Sequence, residues 1–394
     1  WDASAPFTFG QWWDAAQRIA SSLSSRCARN TPVAVLMNPR SAECVKVFFG
    51  VWAAGCFYAP LDPMLPPERL KLIMQNLQPT AIVYDEESRV KAEAVCPDGC
   101  GCVLWSDAAQ SPVDADKLAQ IRQTVTPDQL AAILYTSGST GIPKGVAHTQ
   151  GSLMAYTEET IARYQFTENT VFGNQSPFYF DTSCKDLYQT LKLGATCVIL
   201  EKKFFALPLF LLQALDQHGV TAVNWATSAF HLAASSGALE RCVPHALRKI
   251  VVGGEALQAR YVNMWKRAIP EADLYNMYGP TETTVDCAAL HLTRAYRDDE
   301  PIPIGKACRN MQLLLLKDDL TEAAPGETGE LCVRGSGLAA GYFADAEKTD
   351  AAFIQNPLCP DYRDILYRTG DMAVQREDGN FYFLARRDGQ IKHM

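Results

Sequence analysis

Residues 135–146 have the sequence YTSGSTGIPKGV and follow directly on the apolar, strand-like run AAIL at 131–134. We call this segment the phosphate loop. Glycine permits backbone conformations that turn N–H groups toward phosphate oxygens, hydroxyl side chains donate further hydrogen bonds, and Lys144 adds positive charge. The positions predicted to contact the phosphates of a nucleotide are Thr136, Ser137, Gly138, Ser139, Thr140, Gly141 and Lys144.

Two better-known phosphate-binding patterns do not fit this loop. The Walker loop requires Gly before its lysine and Ser or Thr after it, whereas Pro143 precedes and Gly145 follows Lys144. No GxGxxG motif follows the first strand, which argues against a dinucleotide fold. A flexible Gly/Ser turn is the remaining alternative, and it is disfavoured because the pattern is long and follows a strand.

The order of apolar runs predicts the fold class. Strand-like runs at 131–136, 196–200, 221–226 and 249–254 alternate with helical stretches such as 205–218, which is typical of a largely parallel α/β sheet. After residue 300 the strands are short and bounded by Gly, Pro and Asp. We therefore expect two α/β subdomains at about 1–129 and 130–300, a smaller β-rich subdomain at about 301–385, and a hinge at 386–394.

Composition restricts the function classes. The 394 residues carry a net charge of −8 with pI near 5.4, which argues against a nucleic-acid partner. The longest apolar run, Val47–Leu61, is too short to span a membrane, so no membrane partner is expected. The 13 cysteines are scattered, and no signal peptide is recognisable, so a cytoplasmic location is expected. Cys96, Cys100 and Cys102 lack a nearby fourth zinc ligand and are interpreted as free thiols.

The phosphate loop resembles the TSGSTGxPKG signature of the adenylate-forming superfamily at every fixed position. Further segments that resemble this family occur in the expected order: GCFYAPLDPMLPPERL, FYFDTS, NMYGPTET, GELCVRGSGLAAGYF, YRTGD and RRDGQIK. The resemblance is to the amino-acid adenylation domains of nonribosomal peptide synthetases and to D-alanine carrier-protein ligases. It implies the large N-terminal core of such an enzyme, with parallel α/β layers and a smaller β-rich distorted barrel.

The resemblance implies a nucleotide site with ATP and Mg²⁺ as cofactors. Tyr278 would offer an aromatic face to adenine, Thr281 a hydroxyl to the α-phosphate, and Asp371 a carboxylate to the ribose hydroxyls. Glu282 offers the hard oxygen ligand that Mg²⁺ prefers. Lys144, Thr281 and Glu282 would be the catalytic set. The other implied nucleotide contacts are Gly254, Glu255, Asn276, Met277, Gly279, Phe383 and Arg386.

Asp181 indicates the class of substrate, because it stands where amino-acid-activating members of the family place the partner of the α-ammonium group. The implied lining of the side-chain pocket is Thr182, Lys185, Trp225, Val251, Gly253, Met277, Val285 and Asp286. Lys185 could form a buried pair with Asp286, or one of the two could meet a polar substrate side chain, and a Glu- or Gln-like substrate is the choice made here. Alternatively, Trp225 fills the pocket and leaves room only for Ala or Gly.

The implied reaction joins an amino acid to AMP, releases pyrophosphate, and passes the aminoacyl group to the phosphopantetheine thiol of a carrier protein. Asp388 would be the hinge to a small C-terminal lid, with Ala385 where the family usually has Gly. The chain stops at Met394, before the lysine that such a lid supplies, so low activity is expected. The alternatives are an acyl- or aryl-CoA ligase, which Asp181 disfavours, and a nucleotide-binding module without turnover.

Overall fold

A computed structural model describes residues 6–136 and 143–387 of the chain. Ser137, Gly138, Ser139, Thr140 and Gly141 of the phosphate loop, and the predicted hinge residue Asp388, lie outside the described residues.

The described strands, in chain order, are β1 Pro32–Leu36, β2 Phe57–Pro60, β3 Ala81–Tyr84, β4 Gly101–Leu104, β5 Leu130–Thr136, β6 Lys144–Thr149, β7 Val171–Asn174, β8 Thr196–Ile199, β9 Ala222–Ala226, β10 Lys249–Gly253, β11 Asp273–Tyr278, β12 Ala288–His291, β13 Lys306–Ala307, β14 Met311–Leu316, β15 Thr328–Gly335, β16 Phe353–Gln355, β17 Ile365–Gln375 and β18 Phe381–Arg386.

The described α-helices are α1 Phe9–Ser24, α2 Ala42–Ala53, α3 Pro67–Leu77, α4 Arg89–Val95, α5 Trp105–Ala108, α6 Ala115–Arg122, α7 Gln150–Tyr164, α8 Cys184–Leu193, α9 Pro208–Gln217, α10 Thr227–Ser235, α11 Ala238–Arg241, α12 Ala259–Ala268 and α13 Ala346–Ala352. Short 3₁₀ turns occur at Glu86–Ser88, Asp181–Ser183, Lys202–Ala206 and Thr281–Thr283. None of the described helices is long and apolar enough to cross a membrane.

The chain divides into two compact units. Unit 1 comprises Trp1–Met154, Pro177–Asp181 and Ala339–Ala346. Unit 2 comprises Ala155–Ser176, Thr182–Leu338 and Glu347–Met394.

Unit 1 is built on a sheet with the described strands in the order β4-β3-β1-β2-β5-β6. Strands β1 to β5 are parallel, and β6 returns antiparallel to β5. Strands β1, β2 and β3 are buried and mostly apolar along their whole length, as is typical of parallel strands with both faces covered. Helix α1 packs on α2 at Gly50, where an added Cβ would lie 2.6 Å from Ile19.

Unit 2 contains a sheet with the described strands in the order β13-β12-β11-β10-β9-β7-β8. Strands β7, β8, β9, β10 and β11 are parallel to one another. Strand β12 is antiparallel to β11, and β13 is antiparallel to β12. One side of this sheet carries a core around Trp225, Phe230 and Trp265, and another cluster contains Tyr164 and Met277. Unit 2 also holds a curled antiparallel sheet, β14-β15-β17-β16, with β18 paired to β17.

The predicted fold class is therefore confirmed: parallel α/β sheets are combined with a smaller β-rich part. The boundaries differ from the predicted ones. Strands β5 and β6 lie after residue 129 yet belong to the first sheet, because β5 pairs with β2 and β6 pairs with β5. Residues 301–310 include β13, which extends the second sheet rather than the β-rich one. Strand pairing, which is a long-range contact, sets both boundaries.

Candidate active site

In unit 1, the phosphate loop connects two antiparallel strands. Strand β5 ends at Thr136, β6 begins at Lys144, and these two residues are register partners across the hairpin. A Cβ on Gly145 would lie 2.7 Å from Cγ2 of Ile133 and 3.1 Å from the Tyr135 ring, so only glycine fits there without displacement. The local fold thus places Thr136 and Lys144 side by side at the base of the loop.

Lys144 is oriented by Tyr342, a residue for which the sequence alone predicted no role. Lys144 Nζ donates to Tyr342 Oη at 3.3 Å and lies 4.7 Å from the centroid of the Tyr342 ring, within the range of a cation–π contact. The segment around Tyr342 is fixed to β6, because Ala147 N donates to Gly341 O at 2.9 Å. The only sequence signal for Tyr342 was its position in the segment GELCVRGSGLAAGYF.

In unit 2, three neighbouring parallel strands end at one edge of the sheet. Strands β9, β10 and β11 end at Ala226, Gly253 and Tyr278, and Gly254 and Glu255 follow directly after β10. The carboxyl edge of a parallel sheet is where α/β proteins bind ligands. The predicted adenine contacts are thereby brought to one edge.

Gly253 and Gly279 permit close approaches of the backbone at this edge. An added Cβ on Gly253 would lie 2.8 Å from Met277 O, and one on Gly279 would lie 2.4 Å from Asp286 Cα. Asn276, which is buried, donates from Nδ2 to Pro303 O at 2.8 Å. Asn276 thus anchors the strand that carries Tyr278.

Tyr278, Asp371 and Arg386 form one hydrogen-bonded cluster. Tyr278 Oη donates to Asp371 Oδ2 at 2.5 Å, and Arg386 Nη1 lies 2.9 Å from Asp371 Oδ1. Burial, together with the Asp371 charge, raises the pKa of Tyr278 well above its usual value, so the phenol keeps its proton and donates. Each carboxylate oxygen can accept more than one hydrogen bond, so Asp371 retains capacity for ribose hydroxyls. Phe383, on the same strand as Arg386, is 40% exposed.

Glu282 lies in the one-turn helix Thr281–Thr283, which directly follows Pro280, and its side chain is buried. Within residues 6–136 and 143–387, no group of three or more His, Cys, Asp or Glu side chains is arranged to hold a metal ion. A magnesium ion that is bound mostly by phosphate oxygens and water needs only one or two protein carboxylates. The donor set therefore fits Mg²⁺ carried by a nucleotide and does not form an all-protein metal cage.

The two residues before Asp286 have unusual backbone angles. Thr284 has φ of 52° and Val285 has φ of 75°, the left-handed region that β-branched residues rarely adopt. Such conformations persist only when the surrounding structure imposes them, and they are concentrated at functional sites. Here they follow the turn that carries Glu282 and lead into Asp286.

Lys185 and Asp286 form a buried ion pair. Lys185 Nζ lies 2.9 Å from Asp286 Oδ2 and 3.2 Å from Oδ1, and both side chains are 4% exposed. Tyr156, another buried residue that the sequence analysis did not select, donates from Oη to Asp286 Oδ2 at 3.1 Å. Removing two charges from water is costly, and the ion pair together with the Tyr156 hydrogen bond offsets this cost.

Helix α8 carries a second buried polar cluster directly beside Lys185. Asp186 accepts hydrogen bonds from Asn174 Nδ2 at 3.0 Å and from Asn224 Nδ2 at 2.7 Å. Burial raises the pKa of Asp186 to about 7, although both asparagines oppose that rise. Asn224 Nδ2 also lies 3.5 Å from the Lys185 carbonyl.

Trp225 does not lie with Lys185 and Asp286, and its predicted place in the pocket is corrected here. Its side chain is fully buried in the core with Trp265 and Phe205, and Nε1 donates to Gly173 O at 3.4 Å. Successive side chains of a strand point to opposite faces. Asn224, one residue earlier on β9, is therefore the residue that faces α8.

The remaining predicted substrate contacts are divided between the two units. Val251 and Met277 belong to one buried cluster of unit 2, and Thr182 begins the part of unit 2 that leads into α8. Asp181 is the last residue of its segment of unit 1 and is only partly buried.

Comparison with known proteins identifies the chain. The family model of AMP-binding enzymes matches residues 2–343. The chain is 32% identical to phosphinothricin tripeptide synthetase PhsB of Streptomyces viridochromogenes, over 99% of this chain and 32% of that protein. It is 32% identical to an L-proline–[L-prolyl-carrier protein] ligase of Pseudomonas fluorescens, over 90% of this chain and 69% of that protein.

A solved structure supports the same family. A four-domain nonribosomal peptide synthetase bound to AMP and glycine superposes with a TM-score of 0.84 at 28% identity, over 99% of this chain and 28% of that chain. The chain spans only 10–32% of the length of several curated synthetases that it matches. With a family match over most of its length, the chain belongs to the AMP-binding enzyme family, as an adenylation domain of the kind found in nonribosomal peptide synthetases.

Proposed function

We propose that the chain activates an amino acid as aminoacyl-AMP, with release of pyrophosphate, for transfer to the phosphopantetheine thiol of a carrier protein. The observation that carries this proposal is the cluster of Tyr278, Asp371 and Arg386, in which a buried aspartate is held at 2.5 Å and 2.9 Å by its two partners. This cluster provides a fixed acceptor for ribose next to an aromatic ring suited to adenine.

Each unit contains residues that the sequence predicts to contact a nucleotide. In unit 1, Thr136 and Lys144 stand at the base of the phosphate loop, and Tyr342 orients the Lys144 ammonium group. In unit 2, Thr281 and Glu282 follow Tyr278 within a few residues of the chain. Lys144 would neutralise phosphate charge, Thr281 would bind the α-phosphate, and Glu282 would hold Mg²⁺.

The chain supplies no nucleophile in the proposed reaction. The substrate carboxylate attacks the α-phosphorus of ATP, a P–O bond forms, and pyrophosphate leaves. Residues of the chain contribute alignment and charge neutralisation, which are the main sources of rate enhancement in phosphoryl-group chemistry. A magnesium ion, when bound, would supply positive charge that further neutralises the phosphate oxygens.

The substrate proposed is an amino acid with a polar, Glu- or Gln-like side chain. Asp181 would pair with its α-ammonium group, and the Lys185–Asp286 pair supplies a donor and an acceptor at the side-chain end. One of the two arguments for alanine was that Trp225 fills the pocket, and its side chain is buried in the core; the other, the resemblance to D-alanine-activating ligases, keeps alanine as the alternative substrate. Asn224 adds a polar side chain beside Lys185 and supports the polar choice.

The test measures binding as well as turnover. Stable aminoacyl sulfamoyladenosine mimics of the twenty amino acids and of both alanine enantiomers are titrated by calorimetry, and amino-acid-dependent ATP–pyrophosphate exchange is measured with the same panel. We expect the Glu or Gln mimic to bind at least tenfold more tightly than AMP alone, whereas a fatty- or aryl-acyl mimic should gain nothing.

The alternatives correspond to other outcomes of the same titrations. A preference for an acyl or aryl mimic over every aminoacyl mimic would identify an acyl- or aryl-CoA ligase. AMP binding that no acyl group strengthens would identify a nucleotide-binding module without turnover. Either result would overturn the proposal.

A further inference from the structure

Helices α7 and α8 of unit 2 are joined by two buried side-chain bridges. Tyr156 and Thr160 lie one turn apart on one face of α7. Lys185 and Gln189 lie one turn apart on one face of α8. Tyr156 reaches Lys185 through Asp286, and Gln189 Nε2 donates to Thr160 Oγ1 at 2.6 Å. The proposed reaction uses Lys185 and Asp286 but gives Tyr156 no role.

The hydrogen bonds at the Lys185–Asp286 pair leave one donor in reserve. Asp286 Oδ2 accepts from both Lys185 and Tyr156, whereas Oδ1 accepts from Lys185. An ammonium group has three N–H donors, and among the residues that the structure describes Lys185 Nζ contacts only Asp286. At least one N–H of Lys185 is therefore left for an acceptor on a substrate.

Tyr156 supplies Asp286 with a hydrogen bond that does not come from Lys185. Burial, together with the charge of Asp286, raises the pKa of the Tyr156 phenol well above its usual value, so the proton stays on Oη. The phenol therefore donates to Oδ2 at 3.1 Å and adds no charge to the pair. Without this donor, Oδ2 would depend on Lys185 alone.

Packing does not enclose Asp286 on every side. Asp286 and Tyr156 both line a small, partly open cavity, whose other walls include Glu159, Thr283 and Cys308. A side chain that borders on open space can rotate at little steric cost. The hydrogen bond from Tyr156 opposes that rotation and keeps the carboxylate turned toward Lys185.

From these contacts, and resting on the proposed function, we propose that Tyr156 is a positioning residue for substrate selection. By holding Asp286, it keeps one N–H of Lys185 available to the side-chain oxygen of a Glu- or Gln-like substrate. Tyr156 acts through Asp286 and does not itself touch the substrate.

Loss of the Tyr156 hydroxyl should redirect Lys185. Oδ2 of Asp286 would lack one of its two donors, and a buried acceptor without a partner is costly. Lys185, which is already in contact with Oδ2, would turn its remaining N–H toward Asp286. A polar substrate side chain would then lose its donor, whereas alanine, which has no side-chain oxygen, would lose nothing.

Tyr156→Phe tests this role, because it removes one oxygen atom and keeps the ring. The glutamyl, glutaminyl and alanyl sulfamoyladenosine mimics are titrated by calorimetry into the parent chain and into the variant. The ratio of the Kd of the alanyl mimic to the Kd of the preferred polar mimic should fall about tenfold, the size expected for one hydrogen bond to a charged group. The affinity for AMP should be unchanged.

Two further variants separate selection from packing. Thr160→Val, the matched control, removes the hydroxyl of the other bridge between the same two helices and should leave the ratio unchanged. Urea unfolding establishes that both single variants are folded and compares their stabilities. Tyr156→Phe added to Lys185→Met/Asp286→Leu should not change the ratio further, because Tyr156 then has no carboxylate to hold.

Three results would overturn the positioning role and leave the proposed function standing. The first is a Tyr156→Phe ratio equal to that of the parent chain. The second is an equal fall for Thr160→Val, which would assign the effect to helix packing. The third is a further change in the Lys185→Met/Asp286→Leu background, which would show that Tyr156 contacts the substrate directly. A parent chain that binds neither polar mimic more tightly than AMP would instead overturn the substrate proposal, and this inference with it.

Discussion

Lys185 Nζ lies 2.9 Å from Asp286 Oδ2, and neither side chain is more than 4% exposed. The two residues are 101 positions apart in the sequence, so only the tertiary fold brings them together. Removing one partner of a buried ion pair leaves the other charge desolvated without compensation.

Lys185→Ala should therefore lower both stability and selectivity. We expect the free energy of unfolding to fall by about 3–5 kcal/mol, and we expect the double variant Lys185→Met/Asp286→Leu to recover most of that loss, because both charges are removed. Urea unfolding measures both. In the ATP–pyrophosphate exchange assay, Lys185→Ala should lower the rate with glutamate or glutamine far more than the rate with alanine. An unchanged preference order would remove Lys185 from the substrate pocket.

Trp225→Ala provides the matched comparison on the opposite face of the same sheet. It should cost about 3–5 kcal/mol of stability, as aromatic truncations in cores do, because it creates a cavity beside Trp265. The order of amino-acid preference should stay the same. If Trp225→Ala instead admits larger amino acids, then Trp225 lines the pocket and our correction is mistaken.

Asp371→Asn should weaken AMP binding by about 1.5–3 kcal/mol, the range for hydrogen bonds to charged groups. The amide loses the charge that pairs with Arg386 and one of the acceptors available to ribose. Calorimetric titration with AMP measures the loss. Asp361→Asn, at an exposed aspartate of the same unit, is the control and should bind AMP like the parent protein.

Asp181→Ala should abolish amino-acid binding and leave ATP binding nearly intact, because it removes only the partner of the α-ammonium group. The two ligands are titrated separately into the same variant by calorimetry. Equal losses for both would indicate a general disruption of the site and would contradict the assigned role.

Glu282→Gln should weaken the Mg²⁺ dependence of nucleotide binding, since a neutral amide is a poorer ligand for a hard cation. Titration of Mg²⁺ at a fixed ATP concentration should show a higher midpoint for the variant. Identical midpoints would exclude Glu282 as a metal ligand.

Asp186 should make the protein less stable as pH rises. Its pKa in the folded chain is raised to about 7 from an ordinary value of 3.8, so the folded state binds the proton more tightly than the unfolded state does. Its contribution to stability is complete below about pH 4 and is lost as pH rises through about 7. Asp186→Asn should flatten this slope in urea midpoints measured from pH 4.5 to 8. A slope equal to that of the parent chain would show that Asp186 does not titrate in this range.

The sequence by itself determined the fold class and the family, and it predicted the nucleotide chemistry. The phosphate loop and the segment around Tyr278 are local patterns whose residue types, order and spacing carry the chemical information. Alternation of apolar strands and helices likewise follows from local periodicity. The family resemblance placed Lys185 and Asp286 in one pocket, and their opposite charges suggested that they could pair.

Only the tertiary structure decided which face of β9 carries Trp225 and which carries Asn224. Successive side chains of a strand point to opposite faces, so a pocket assignment that is shifted by one position selects a residue on the wrong face. In an apolar run, the sequence does not show which face packs against the core. Contacts between distant segments decided the rest. Tyr342 meets Lys144 across 198 positions. Local spacing specifies what each residue can do chemically, and packing between distant segments specifies which residues do it together.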